Sequence, residues 1–256
     1  MDRLLFYKIN LKKLIKDRES KILILAGGQR DKRVLMDLGS KNVTISNLDT
    51  RMNENEYKPY KWSFQDAENL TFNDEQFDYA IIHQALHHCK SPHRALLEMY
   101  RVSKKGVFSF EARESFLMKL AVKFNLTYQY ETPAVFWNDM KHGGLANTEI
   151  PNFIYRWTEH EIEKVVNCYA PYTKHKIRYF YAFSLPEIVS QFPFKKLICN
   201  LLEMFLKLLP QKQGNLFAFF IEKPDLDKDS FPWIKHKKNK ITLNKEWLKK
   251  NWMKKQ

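Results

Sequence analysis

The feature that most constrains this chain is an apolar run too short to be a helix. Lys21-Ile22-Leu23-Ile24-Leu25-Ala26 ends at Gly27-Gly28, the mark of a strand buried on both faces of a parallel sheet. Further strand candidates are Asn42–Asn47, Asp78–His83 and Gly106–Glu111, with helical spacing between most of them. Residues 31–38 form one such helix, stopped by Gly39. Residues 92–102 form another, with Ser91 as N-cap and Pro92 in the first helical position, where a missing N–H costs nothing. Leu4, Tyr7, Leu11, Leu14 and Ile15 predict an amphipathic helix ahead of the first strand. Strand and helix thus alternate at least three times by residue 112, which predicts a doubly wound α/β domain with a parallel sheet covered on both sides. Two later strands, within 174–184 and 215–222, are rich in aromatic and β-branched residues.

Composition narrows the class. Hydrophobic residues at 44% and charged residues at 28% exclude a disordered chain, and no apolar run approaches the ~20 residues of a membrane span. The first eight residues are too soon interrupted by charge for a signal peptide, and Cys89, Cys168 and Cys199 form no close pair, so a reducing cytoplasm is the expected compartment. Much of the net charge of +14 is local, since residues 235–256 hold nine Lys against one acid. Lys outnumbers Arg 33 to 10, whereas a phosphate reader usually shows Arg in a defined groove, so 225–256 reads as a solvated basic tail and nucleic acid is not expected as a partner. Residues 197–209 are apolar except at Asn200, Glu203 and Lys207, which share one stripe. Such a helix must bury most of its surface, in the core or between two copies in a homo-oligomer; a lid or a membrane-surface helix is the other reading.

The chemistry concentrates where the first strand turns into a helix. At Gly27-Gly28 the backbone can approach a ligand and helix N–H groups can point at it; Asp49, about twenty residues on, suits a ribose diol. A nucleoside cofactor follows. The segment after it is more specific: Asp66-Ala67-Glu68-Asn69-Leu70-Thr71-Phe72, then Phe77-Asp78, Leu86-His87-His88 and Arg94 to Val102. These residues resemble class I S-adenosylmethionine-dependent methyltransferases, in the small-molecule branch that includes quinone-biosynthesis enzymes and reads D-A-E-x-L-P-F-x-D-x-x-F-D before L-H-H. The resemblance covers roughly residues 21–112.

The resemblance implies a Rossmann-like, mostly parallel sheet, and the spacing of the later strands predicts insertions after strands 5 and 6, at 113–174 and 185–214, in a domain spanning 1–224. It implies S-adenosylmethionine as cofactor, approached by the backbone of Ala26, Gly27 and Gly28. Asp49 would hold the ribose, Asp66 and the Ala67 N–H would read the adenine edge, and His83 would line the methionine end. No Lys or Arg cluster at the glycine turn suggests a pyrophosphate. The family's acid-x-Gly-x-Gly-x-Gly appears here as Ile24-Leu25-Ala26-Gly27-Gly28-Gln29-Arg30, so the acid has become Ile24 and the last glycine Arg30.

Methyl transfer is an in-line displacement whose main demand is alignment, and a base is needed only for a hydroxyl or an acidic carbon. His87 or His88 could be that base; packing of the cofactor is the alternative role for both. His83, His87, His88, Cys89 and His93 also raise a zinc site, but the resemblance accounts for them and no second ligand pair has metal spacing, so no metal is expected. Gly143, Gly144, Asn147, Asn152, Tyr155, Arg156 and Trp157 form a polar and aromatic mixture that could bind a hydroxylated acceptor or simply pack a surface loop. The reading is methyl transfer to a small-molecule, glycan or lipid-precursor acceptor at oxygen. A catalytically lapsed binding module, motivated by Ile24 and Arg30, and an RNA methyltransferase, motivated by the basic tail, are the alternatives.

Overall fold

The structure is a computed structural model that describes residues 2–184, 208–237 and 240–253. Helix α1 (Arg3–Leu14) is capped by Asp2, whose carboxylate accepts from the Leu5 N–H at 3.0 Å, and it buries Phe6, Tyr7 and Leu11. Then follow β1 (Lys21–Leu25), α2 (Gln29–Asp37), β2 (Asn42–Asn47), α3 (Glu54–Tyr57), β3 (Lys61–Phe64) and β4 (Phe77–His83). Helix α4 (Pro92–Val102) leads into β5 (Ser103–Glu111), and α5 (Phe116–Lys123), α6 (Thr132–Phe136) and α7 (Glu159–Tyr169) precede β6 (Lys176–Ala182) and β7 (Leu216–Glu222).

The strands form one sheet in the order β3-β2-β1-β4-β5-β7-β6. Neighbours from β3 through β5 run parallel, and β7 runs antiparallel to both β5 and β6. Strand order reverses between β1 and β4, so the carboxyl ends of those strands open the crevice where ligands collect in open α/β sheets. The doubly wound, Rossmann-like expectation holds. Strand β1 has the burial its composition demanded: Ile22 and Ile24 join the core on one face, Leu23 and Leu25 the core on the other. Strand β3 is absent from the sequence reading because Lys61-Trp62-Ser63-Phe64 lies at the sheet edge, only half-buried, with no alternation to announce it.

Residues 225–237 and 240–253, within the stretch read as a solvated basic tail, carry secondary structure while burying no residue. A short helix (Leu226–Asp229) is followed by a hairpin (Ile234–Lys237 with Lys240–Leu243) and a helix (Lys245–Trp252). Ser230 bridges to Thr173, Phe231 donates its N–H to the Tyr172 carbonyl at 3.1 Å, and Trp233 stacks on Phe231 and meets Trp247. The lysines ride on this framework, and its aromatic contacts were hidden by their number. Trp157, grouped above with acceptor-binding residues, is instead fully buried between α4, α7 and β7, against His93 and Phe219. Of the apolar stretch 197–209, all but its last two residues lie outside the described residues.

Burial of that size sets a magnitude. Trp157→Ala should cost about 3–5 kcal/mol in denaturant unfolding, and a loss below about 1 kcal/mol would show that the indole is not part of the core.

Candidate active site

A cavity of about 220 Å³ lies at the carboxyl ends of β1, β2, β3 and β4. Ala26, Asn47, Asp66, Ala67, His83, Gln84, His88 and Cys89 line it, and Gly143, Gly144, Ala146 and Asn147 of the insertion cover it from the far side. Among the described residues no Lys or Arg stands in the wall, so the cavity suits a neutral, hydroxyl-rich ligand better than a phosphate.

The β1–α2 turn shows how the altered glycine loop works. Ala26 stands where the resembling family has its first glycine and adopts φ +48°, a left-handed backbone that alanine takes at a cost of roughly 1–2 kcal/mol. Gly27 is required by packing, because a Cβ there would lie 2.6 Å from Ile24 and 2.8 Å from Ile45. Gly28 caps α2, and its N–H donates to the buried Asp31 carboxylate at 2.9 Å. Neither Gly27 nor Gly28 lines the cavity, so of Ala26, Gly27 and Gly28 only Ala26 reaches its wall. Ile24 is wholly buried in the core, which rules out any contact with a ligand at the acid's usual place. His83 stacks on Tyr7 of α1, with ring centroids 4.2 Å apart, and its Nδ1 lies 3.6 Å from Asp31.

The ribose assignment is also revised. Strand β2 ends at Asn47, and Asp49, two residues beyond, points its carboxylate at Arg51, which donates from Nε at 2.9 Å and from Nη2 at 2.6 Å. Those bonds hold the Asp49 pKa below the usual carboxylate value. Asp49 is not in the cavity wall; Asn47 is, with its amide tied to the Gly27 carbonyl at 3.2 Å. Asp66 and Ala67 are in the wall as expected. Their turn is held by the Glu68 carboxylate, which accepts the N–H groups of Lys90 and Ser91 at 2.8 and 2.9 Å and so fastens it to the start of α4.

His87 and His88 part company. His87 is buried, donating Nδ1–H to Glu111 at 2.6 Å, with Nε2 3.2 Å from Glu131. Burial opposes a charged ring, but the two carboxylates overcome it and raise the pKa to about 10. His87 lies outside the cavity wall, held between the two carboxylates, so of the two histidines read as candidate bases only His88 faces the cavity. His88 lines the cavity; burial and then the His87 charge lower its pKa. Two acids went unnoticed in the sequence. Glu111 at the end of β5 accepts from the Ala85 and Leu86 N–H groups as well as from His87, and a lone charge closing an apolar strand was its signal. Glu131 carried no signal, since it reaches the site only through the fold of the insertion.

Within the insertion, Gly143, Gly144 and Asn147 reach the cavity, whereas Asn152 is buried behind Glu131, Tyr155 meets His93 and Glu161, and Arg156 donates to the Tyr128 carbonyl at 2.6 Å.

The family described as "Methyltransferase domain" matches residues 24–110, the stretch that carries β1 to β5 and most of the cavity wall. The matched stretch is about a third of the chain's 256 residues. None of the curated proteins matches the chain. Among solved structures, an S-adenosylmethionine-dependent methyltransferase from Thermotoga maritima is similar at 19% identity and TM-score 0.50, over 86% of this chain and 89% of that one. One from Archaeoglobus fulgidus has 14% identity and TM-score 0.51, over 86% and 94%. Magnesium protoporphyrin IX methyltransferase from Synechocystis, with bound S-adenosylhomocysteine, has 9% identity and TM-score 0.50, over 86% and 84%. These likenesses establish the fold. The enzyme is an S-adenosylmethionine-dependent methyltransferase, and S-adenosylmethionine is its cofactor. Among the described residues, no helix is long and apolar enough to cross a membrane.

The residues of the wall fit that cofactor in chemistry: a carboxylate and a backbone N–H at Asp66-Ala67, an amide at Asn47, and, among the described residues, no cation to attract phosphate. Two outcomes follow for the methyltransferase. Asp66→Ala should weaken S-adenosylhomocysteine binding about ten- to a hundredfold by calorimetry, the loss of one charge-assisted hydrogen bond, while Asp49→Ala should change it less than about threefold. Equal losses would return Asp49 to the cofactor. Ala26→Gly should leave stability unchanged or raise it by up to about 1 kcal/mol, because glycine takes φ +48° without strain; a drop in melting temperature would contradict the strain.

Proposed function

We propose that the methyltransferase transfers the methyl group of S-adenosylmethionine to a hydroxyl oxygen of an amphiphilic small molecule, of the lipid-precursor kind rather than a glycan. One observation carries this reading. The stretch of insertion that supplies Gly143 to Asn147 to the cavity also holds Phe136, Trp137 and Met140 with 60%, 80% and 67% of their surface exposed. Phe116, Phe124 and Leu126 earlier in the insertion are exposed as well. Apolar surface on that scale next to a cavity marks a binding face for an apolar partner, and a glycan would leave it wet.

The cofactor supplies an electrophilic methyl on a sulfonium. The bond from the acceptor oxygen to that methyl carbon would form as the carbon–sulfur bond breaks with its electron pair left on sulfur, and the hydroxyl proton would leave to a neighbouring acceptor. What the chain contributes is alignment and exclusion of water. An oxygen acceptor is favoured by the groups at that end of the cavity, where His88 in the wall and Glu131 behind it offer hydrogen-bond acceptors to a hydroxyl.

Incubation with methyl-labelled cofactor and fractionated cell extract tests the class of acceptor. Label should enter the organic-soluble small-molecule fraction, and Trp137→Ala should lower kcat/KM roughly ten- to a hundredfold with cofactor affinity unchanged, the equivalent of ~1.5–3 kcal/mol of lost apolar contact. Label in the aqueous glycan fraction or in RNA would overturn the reading.

A further inference from the structure

We propose that His87, His88 and Glu131 bind one divalent transition-metal ion of the zinc type, with an open coordination position beside the cofactor cavity. Of the five His and Cys residues that raised zinc in the sequence, the fold separates three. His83 stacks on Tyr7, His93 faces Tyr155 and Glu161, and the Cys89 thiol faces the Ala85 carbonyl. His87 and His88 remain together, and the ligand that sequence spacing did not supply is Glu131, 44 residues beyond His87.

The geometry fits an ion. His87 Nε2 lies 3.2 Å and His88 Nε2 3.3 Å from the same Glu131 oxygen, and the three donor groups all fall within 4.8 Å of one another. A tetrahedral ion with bonds of ~2.0–2.1 Å separates its ligand atoms by about 3.3 Å. The far side of each ring is arranged as metal-binding histidines require. His87 Nδ1–H donates to Glu111, itself fixed by two backbone N–H groups, and His88 Nδ1 lies 3.3 Å from the Gly144 carbonyl. Carboxylate and carbonyl partners of that kind set the tautomer and leave Nε2 to the metal. With its Nδ1–H given to Gly144, a neutral His88 turns an Nε2 lone pair toward the Glu131 carboxylate, a repulsive contact that a cation between them removes. Two carboxylates, Glu111 and Glu131, also balance the charge of a dication.

Two nitrogens and one oxygen suit zinc, cobalt, nickel or ferrous iron rather than magnesium or calcium, which prefer oxygen alone. Three protein ligands leave a fourth position, and His88 lines the cavity while Glu131 keeps 30% of its side chain exposed, the pattern of a catalytic rather than a structural site. The ligand class for that position is an anionic or hydroxyl oxygen, whose proton the ion would make easier to lose. This last step rests on the methyltransferase reading; metal binding itself does not.

The test titrates the chelator-stripped full-length protein with Co²⁺, followed by its visible absorption, and with Zn²⁺ by competition. One equivalent should give a saturable tetrahedral spectrum. Glu131→Gln and His88→Ala should each weaken binding at least tenfold, and the positioning variant Glu111→Gln about ten- to a hundredfold. Circular dichroism serves as the folding control for every variant, and S-adenosylhomocysteine binding for Glu131→Gln, which lies outside the cavity wall and is the variant least able to disturb the fold. Absence of a saturable spectrum, or wild-type affinity in Glu131→Gln and His88→Ala, overturns the site. Failure of the wild type to bind S-adenosylhomocysteine while cobalt still binds would overturn the methyltransferase reading and leave the metal site standing.

Discussion

The Glu111 carboxylate, with no exposed surface at the end of β5, is the group on which the rest of the site depends. Burying an isolated carboxylate costs several kcal/mol, and here three donors offset it: the Ala85 and Leu86 N–H groups and the His87 ring. Meeting that demand winds the chain after β4 into a single short turn over Leu86–His88. The same turn sends His87 inward and leaves His88 in the cavity wall. A buried charge thereby specifies the backbone of a loop that local propensity alone would leave free.

The cofactor side depends on a different constraint, the close packing of the β1–α2 turn against Ile24 and Ile45. Gly27 permits it, and Ser46 and Asn47 of β2 fasten it by donating to the Ile24 and Gly27 carbonyls. The acid lost at Ile24 therefore does not collapse the turn, whose shape comes from packing and backbone hydrogen bonds. Helix α1 completes this side by laying Tyr7 on His83 and against Phe110. What the turn lacks in glycine it takes from strain at Ala26, which places a methyl group where the family's pattern leaves none.

The acceptor side is assembled over long sequence distances. Glu131 joins His87 and His88, Gly144 meets His88, and Asn138 reaches back to Arg51. The left-handed backbone at Ala146 and Asn147 turns the insertion over the cavity. Cofactor and acceptor surfaces thus share one wall at His88, and the exposed aromatics continue that wall outward from Phe136 to Met140.

By itself the sequence determined the alternating architecture, because burial on both faces of a parallel sheet demands the uninterrupted apolar runs seen in β1 and β4, and crossovers demand the helices between them. It also marked the Asp66-Ala67 turn and His88, residues on short segments whose position follows directly from the strand they end. Only the tertiary structure decided the roles of Asp49, His87 and Trp157, because each depends on a partner that spacing does not reveal: an arginine folding back two residues on, carboxylates 24 and 44 residues away, and a core closed by β7. Glu131 was invisible for the same reason, since a carboxylate in a long insertion carries no periodicity, and its chemistry exists only where the fold brings two imidazoles to one of its oxygens.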